Sequence, residues 1–173
     1  MNNDYKTKGV LRMIVYKTDF ESINWDMLIQ LYYEVDGVIG LAKNQNKARI
    51  KKSFLSSYKV VTAWEDDKIV GAGRMISDGY CYAGIHDSGV LPDNHKRGIG
   101  RGVMEELMNE DEELLFGLTS SFSAEDFYYN LGFKKHKTAM AKYPGKSSYL
   151  EDFSNRNLCS NSKLYPTGIK SKE

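Results

Sequence analysis

The stretch Lys96-Arg97-Gly98-Ile99-Gly100-Arg101-Gly102 holds the residue types from which an anion site is made. Glycines at alternate positions let a bulky anion approach the backbone with no Cβ in the way, and consecutive turn amides form an anion nest. Lys96 and Arg97 add formal charge. From Ile99 an apolar stripe continues through Val103, Met104, Leu107 and Met108 at helical spacing. The first amides of a helix lack intrahelical partners and sit at the positive end of its dipole. The chemistry on offer is therefore the binding of a phosphate or pyrophosphate. Glycine content alone would suit an ordinary turn before a surface helix equally well. Two phosphate motifs are excluded. A Walker A loop ends in Gly-Lys-Ser or Gly-Lys-Thr, against Gly100-Arg101-Gly102 here. A dinucleotide fingerprint needs a third glycine where Val103 stands, and an acid about 20 residues on, where Leu118-Thr119-Ser120-Ser121 lie.

The elements around this turn can be read from the same pattern. Val90-Leu91-Pro92 closes a β-prone approach, because proline cannot continue a central strand. The order is strand, basic glycine turn, helix. Downstream, Leu114 to Leu118 reads as a short buried strand. Ser123 is then the expected N-cap of a helix with Asp126 at N3, and Gly132 the expected C′ stop.

Two stretches together, Val90-Leu91-Pro92 with His95-Lys96-Arg97-Gly98-Ile99-Gly100, and Phe127-Tyr128-Tyr129-Asn130-Leu131-Gly132-Phe133, resemble the GNAT superfamily of acyl-CoA-dependent N-acetyltransferases. The family's turn reads Gln/Arg-x-x-Gly-x-Gly/Ala, so His95 is a departure; its second motif reads Phe-Tyr-x-x-Leu-Gly-Phe. The resemblance covers roughly residues 10 to 143. It implies an α/β fold: a mixed, largely antiparallel sheet with a splayed parallel strand pair and helices on both faces. Acetyl-CoA is the implied co-substrate, with Val90, Lys96, Arg97, Gly98, Ile99, Gly100 and Arg101 as its binding residues. A backbone amide near Val90 would polarise the thioester carbonyl.

The resemblance further implies acetyl transfer to a primary amine in a ternary complex. Tyr128, chosen over Tyr129 by counting back from Leu131-Gly132-Phe133, would protonate the leaving thiolate; its alternative is plain packing against Ala124 and Leu131. His86, or less readily Asp87, would serve as base, and each has a structural alternative as a packed or turn-anchoring residue. Tyr32, Tyr33, Glu34 and Asp36 fall on the acceptor wall, where carboxylates beside aromatic rings suit a cationic amine, though a charged loop is often only solvated. A CoA-binding sensor or interaction module without catalysis is the alternative function; a structural domain that binds no ligand is a third, weaker one.

Bulk properties agree with this picture. The 173 residues suit one domain with a real core, expected over 1–145, followed by a polar, weakly ordered tail over 146–173. A net charge of +1 gives no reason to expect nucleic acid. No stretch is apolar enough for a membrane partner or a signal peptide. Cys81 and Cys159 lack metal-ligand or disulfide spacing, and the expected location is the cytoplasm, with no metal. A small-molecule or protein amine is the expected partner, and a homodimer stays open.

The remaining elements are expected as strands at 10–16, 59–64, 68–75, 80–90 and 134–143, with helices at 24–33, 45–56 and 98–110. A glycine-punctuated loop is expected over 34–43, and a bulge near Gly71 and Gly73.

Overall fold

The computed structural model describes residues 13–35, 47–109, 113–143 and 147–150. The chain runs β1 (Ile14–Lys17), α1 (Trp25–Glu34), α2 (Lys47–Leu55), β2 (Lys59–Glu65), β3 (Lys68–Ser77), β4 (Tyr82–Val90), a 3-10 turn (Pro92–Asn94), α3 (Ile99–Met108), β5 (Leu115–Leu118) and α4 (Glu125–Tyr129). The sheet follows chain order, β1-β2-β3-β4-β5, and is antiparallel except for the parallel pair β4 and β5. A parallel pair needs a crossover, and α3 supplies it.

β2 shows why both faces must be covered: Val60, Val61, Thr62 and Ala63 are all fully buried. On one face lies α3. A Cβ at Gly71 would sit 3.1 Å from Ile99 Cγ2, and one at Gly73 3.0 Å from Val103 Cγ1. Arg74, next along β3, points the other way and lies 5.9 Å over the Phe54 ring of α2. α1 shares that second face, burying Leu28, Ile29, Leu31 and Tyr32, and it starts where the Asn24 side chain accepts the Met27 N–H. α3 buries Ile99, Val103, Met104 and Leu107, the stripe read from spacing.

Two register shifts are present. One, between β2 and β3, falls at Ala63/Trp64 opposite Gly71 and Ile69. The other lies between β3 and β4, where Ala72 pairs with Gly89 but Arg74 with His86. Three residues of β4 are thus spent against two of β3, leaving one extra residue in β4.

One expected strand is corrected. Residues 134–143 form no strand. Lys134, Lys135, His136, Lys137 and Lys142 crowd that stretch, and its most apolar residue, Met140, is 82% exposed. It lacks the β-branched alternation that pays for pairing. By its contacts the chain divides into a unit of residues 1–134 and a second of 135–173. The expected loop over 34–43 and the tail lie almost wholly outside the described residues. No helix among the described residues is long and apolar enough to cross a membrane.

Candidate functional site

The two halves of β4 differ in their neighbours. From Tyr82, paired with Leu115, to Ile85, paired with Leu118, the strand is bonded on both edges. β5 ends there, and β4 runs on to Val90 with β3 alone. Among the described residues no strand pairs with that edge of His86–Val90, which leaves a gap in the sheet there.

The extra residue decides which backbone groups face that gap. Leu115 N–H donates to Cys81 O at 2.9 Å, so Cys81 faces β5. Leu91 N–H donates to Val70 O at 2.9 Å, so Leu91 faces β3. In an unbroken strand residues 81 and 91 would face the same edge; the bulge reverses the alternation between them. Val90 consequently turns its N–H and C=O away from β3, into the gap. Its carbonyl already has a partner, the His95 Nε2–H at 2.9 Å. The departure at position 95 is thus a side chain that ties the strand end to the turn.

The bulge brings the two candidate bases together and separates their roles. Asp87 adopts a left-handed φ of +56°. Its carboxylate accepts from Arg74 Nε at 2.5 Å, and its carbonyl from the Tyr32 hydroxyl at 2.6 Å. His86 lies on the same face as Arg74, its register partner. Its ring folds back over Gly84, where a Cβ would stand only 2.8 Å from Nε2. Desolvation of the ring, and then the Arg74 cation, push the His86 pKa below its usual value, while Asp87 acts in the opposite sense. Arg74 escaped the sequence reading; its signal was a single charge inside the otherwise apolar run from Ile69 to Ile76.

The glycine turn uses its glycines for three different reasons. Gly98 caps α3 at φ +80°, with open space where a Cβ would be. Gly100 packs, its Cβ position 3.5 Å from Phe127 of α4. Gly102 admits the Tyr16 ring of β1, whose hydroxyl a Cβ would strike. Gly102 is also the first residue whose amide reaches back into the turn, to Gly98 O at 3.0 Å. The amides of Lys96, Arg97, Gly98, Ile99, Gly100 and Arg101 find no backbone acceptor among the described residues. The Ile99 side chain itself is in the core.

The cations divide. Arg97 forms a two-pronged pair with Glu65 at the end of β2, at 2.5 and 3.3 Å, and Asn94 Nδ2 donates to the same carboxylate at 3.1 Å. Arg101 donates to Asn130 O at 3.3 Å and lies 3.5 Å from Glu105. Lys96, at φ +60°, has no ion-pair partner among the described residues.

α4 carries the second motif. Its cap is Ala124, with no side-chain hydrogen bond, so Ser123 is not the N-cap; the helix starts one residue later than its capping chemistry suggested. Gly132 does stop it, at φ +89°. Tyr128 is partly buried between Phe127 and Phe133, ring centroids 5.1 and 6.0 Å away, whereas Tyr129 is 45% exposed. Burial raises the Tyr128 pKa, keeping the phenol protonated at neutral pH.

Of the expected acceptor wall, Tyr32 is instead buried, its hydroxyl donating to Asp87 O, whereas Tyr33 is exposed and Glu34 accepts from Gln30 Nε2 at 2.8 Å; Asp36 lies outside the described residues. Glu34, Asp26 and Gln30 line a cavity of about 320 Å³ with Lys68 and Leu91, the residue following Val90. Among the described residues no three metal-ligating side chains cluster.

A family model described as a GNAT acetyltransferase domain matches residues 31–142. Curated proteins give no match. Among solved structures, a protein of unknown function from meticillin-resistant Staphylococcus aureus, described as a probable acetyltransferase, superposes with a TM-score of 0.65 at 20% identity over 78% of this chain and all of its own. A protein of Xanthomonas campestris pv. campestris described as belonging to the GNAT family gives 0.65 at 24% identity, over 76% of this chain and 93% of that one. Glucosamine-6-phosphate N-acetyltransferase of Arabidopsis thaliana gives 0.54 at 16% identity, over 77% and 99%. These likenesses concern the fold.

Proposed function

Because the chain belongs to the GNAT acetyltransferase family, we propose that it moves an acetyl group from acetyl-CoA directly to a primary amine in a ternary complex. The observation that carries this reading is the gap beside His86–Val90, into which the Val90 amide points, next to a turn whose amides from Lys96 to Arg101 lack backbone acceptors among the described residues. These residues suit CoA: the turn amides and Lys96 hold a pyrophosphate, and the open strand edge receives an extended chain. Acetyl-CoA supplies an activated thioester.

The chain's own groups then have separable tasks. The Val90 N–H polarises the thioester carbonyl, as a donor already oriented before substrate arrives. His86, largely neutral at neutral pH, accepts a proton from the amine. Tyr128, kept protonated by burial, donates one to the departing thiolate. Asp87, tied at both ends, holds its neighbours in place. Arg97 acts through Glu65 to brace the turn. Tyr33 and Glu34 form the wall that meets the amine.

The test is release of CoA thiol from acetyl-CoA over a panel of diamines, arylalkylamines and a lysine-containing peptide, with the acetylated product identified by mass spectrometry. Turnover on any of these supports the reading. Saturable CoA binding without turnover would favour a CoA-binding sensor instead.

A further inference from the structure

We propose that Tyr32 and Arg74 are positioning residues that hold the β4 bulge through Asp87 and so aim the Val90 amide into the gap. This rests on the acetyl-transfer reading above, which needs that amide at the thioester. It adds what keeps the amide there.

Val90 faces the gap only because β4 has one more residue than β3 across this stretch. Remove the extra residue from the register, and the same N–H turns back toward β3. The bulge is costly to keep: Asp87 sits at φ +56°, where a residue with a Cβ stays only when its surroundings fix it. Asp is among the few types that tolerate this region.

The surroundings fix it from outside the strand. The Tyr32 hydroxyl, carried by α1, donates to Asp87 O at 2.6 Å, and Arg74 Nε, carried by β3, to Asp87 Oδ2 at 2.5 Å. Tyr32 is 3% exposed, its ring 5.6 Å from that of Phe54. The Arg74 guanidinium lies over the same Phe54 ring and donates to Ser57 Oγ at 3.5 Å. Helix α1 and strand β3 thereby grip one residue of β4, three positions before the amide that matters, with the Phe54 ring of α2 set against both gripping side chains. Burial, and then the Asp87 charge, raise the Tyr32 pKa well above its usual value, so its hydroxyl stays a donor across the neutral range. The partly buried Arg74–Asp87 pair is a weak stability device in itself, since pairing is offset by lost hydration. A task in orienting the bulge accounts for its presence.

The experiment compares wild type with Tyr32→Phe, Arg74→Lys, Arg74→Gln and Asp87→Gly. Three quantities are read: the Val90 amide resonance by ¹⁵N NMR without ligand, the CoA dissociation constant by calorimetry, and kcat with a saturating amine from the panel. Tyr32→Phe removes one oxygen from a buried ring and leaves the apolar packing. It should move the Val90 resonance and lower kcat by roughly 10–10²-fold, with CoA affinity unchanged to within about twofold. Arg74→Lys should retain part of the kcat that Arg74→Gln loses. Asp87→Gly keeps the positive φ available but cuts the carboxylate tie, and should also lose kcat. An unmoved Val90 resonance with full kcat in folded Tyr32→Phe and Asp87→Gly would overturn the proposal. So would a loss of CoA affinity in step with kcat, the mark of general loosening. Should wild type acetylate no amine, the acetyl-transfer reading falls, and the Val90 resonance still decides the positioning.

Discussion

The two halves of β4 are one strand put to two uses. Tyr82 to Ile85 are bonded to both neighbours and carry fold, with Ala83 and Ile85 in the core. His86 to Val90 lose β5, gain an extra residue, contain a left-handed Asp87 and hold a histidine whose pKa is displaced. Backbone groups left unpaired at a sheet edge are a cost, and a strained φ is another. Both costs are concentrated where ligand would be met and are absent one turn of pleat below. The lesson is that the site is built mainly from main chain, placed by a register change, with few side chains added.

Substitutions in the second half and its partners should therefore act on chemistry and binding, and those in the first half on stability. The largest effect is expected from Tyr128→Phe: kcat should fall roughly 10²–10⁴-fold, the range of general acid catalysis, with acetyl-CoA affinity kept. Tyr129→Phe, on the exposed neighbour, should change little. Steady-state kinetics on both variants check the pair, and equal losses would dissolve the distinction between them.

Next is His86→Gln, for which kcat/KM should drop about 10²-fold. A base works unprotonated, so kcat/KM should rise with pH through the His86 pKa and then level. Desolvation and the Arg74 cation lower that pKa, against the opposing Asp87, which puts the limb below about pH 6.5. The same shift has a stability sign. The folded state resists protonating His86, so its contribution is present above the unfolded-state value near pH 6.5 and is lost as pH falls through the lower folded value. The variant should lack the limb; a pH profile identical to wild type would return His86 to packing.

Gly98→Val should weaken CoA binding by roughly 10–10²-fold, the loss of a charge-assisted contact or two, and cost about 1–2 kcal/mol in stability at φ +80°. Calorimetry and thermal unfolding separate the two. The smallest effects should distinguish the cations. Lys96→Ala should weaken CoA binding by about tenfold through lost charge. Arg97→Ala should lose less, because that side chain is already engaged by Glu65. The reverse ranking in calorimetry would mean that Arg97 leaves Glu65 for the ligand.

What the sequence disclosed follows the range of the interactions. α3 was legible because its stripe and its Gly98 cap are local, and so was the end of α4 at Gly132. Gly71 and Gly73 did flag the bulged region, but not that the extra residue lies in β4. That placement depends on Asp87 meeting Tyr32 and Arg74, contacts spanning 55 and 13 residues that no periodicity records. Gly102 was read with the anion turn for the same reason: its real neighbour, Tyr16, lies on β1. Arg97 and Arg101 were counted as ligand cations from their place in the motif, whereas Glu65 and Asn130 engage them in the fold. The strand expected at 134–143 runs against a lysine-rich composition that does not favour pairing.

The division of β4 is tested most directly by amide hydrogen exchange of the full chain, with and without saturating acetyl-CoA. Val90 and the amides from Lys96 to Arg101 should gain protection on binding, while Tyr82 to Ile85, already paired on both edges, should not change. Saturable binding with protection elsewhere, or with none at Val90 and the turn, would contradict the account.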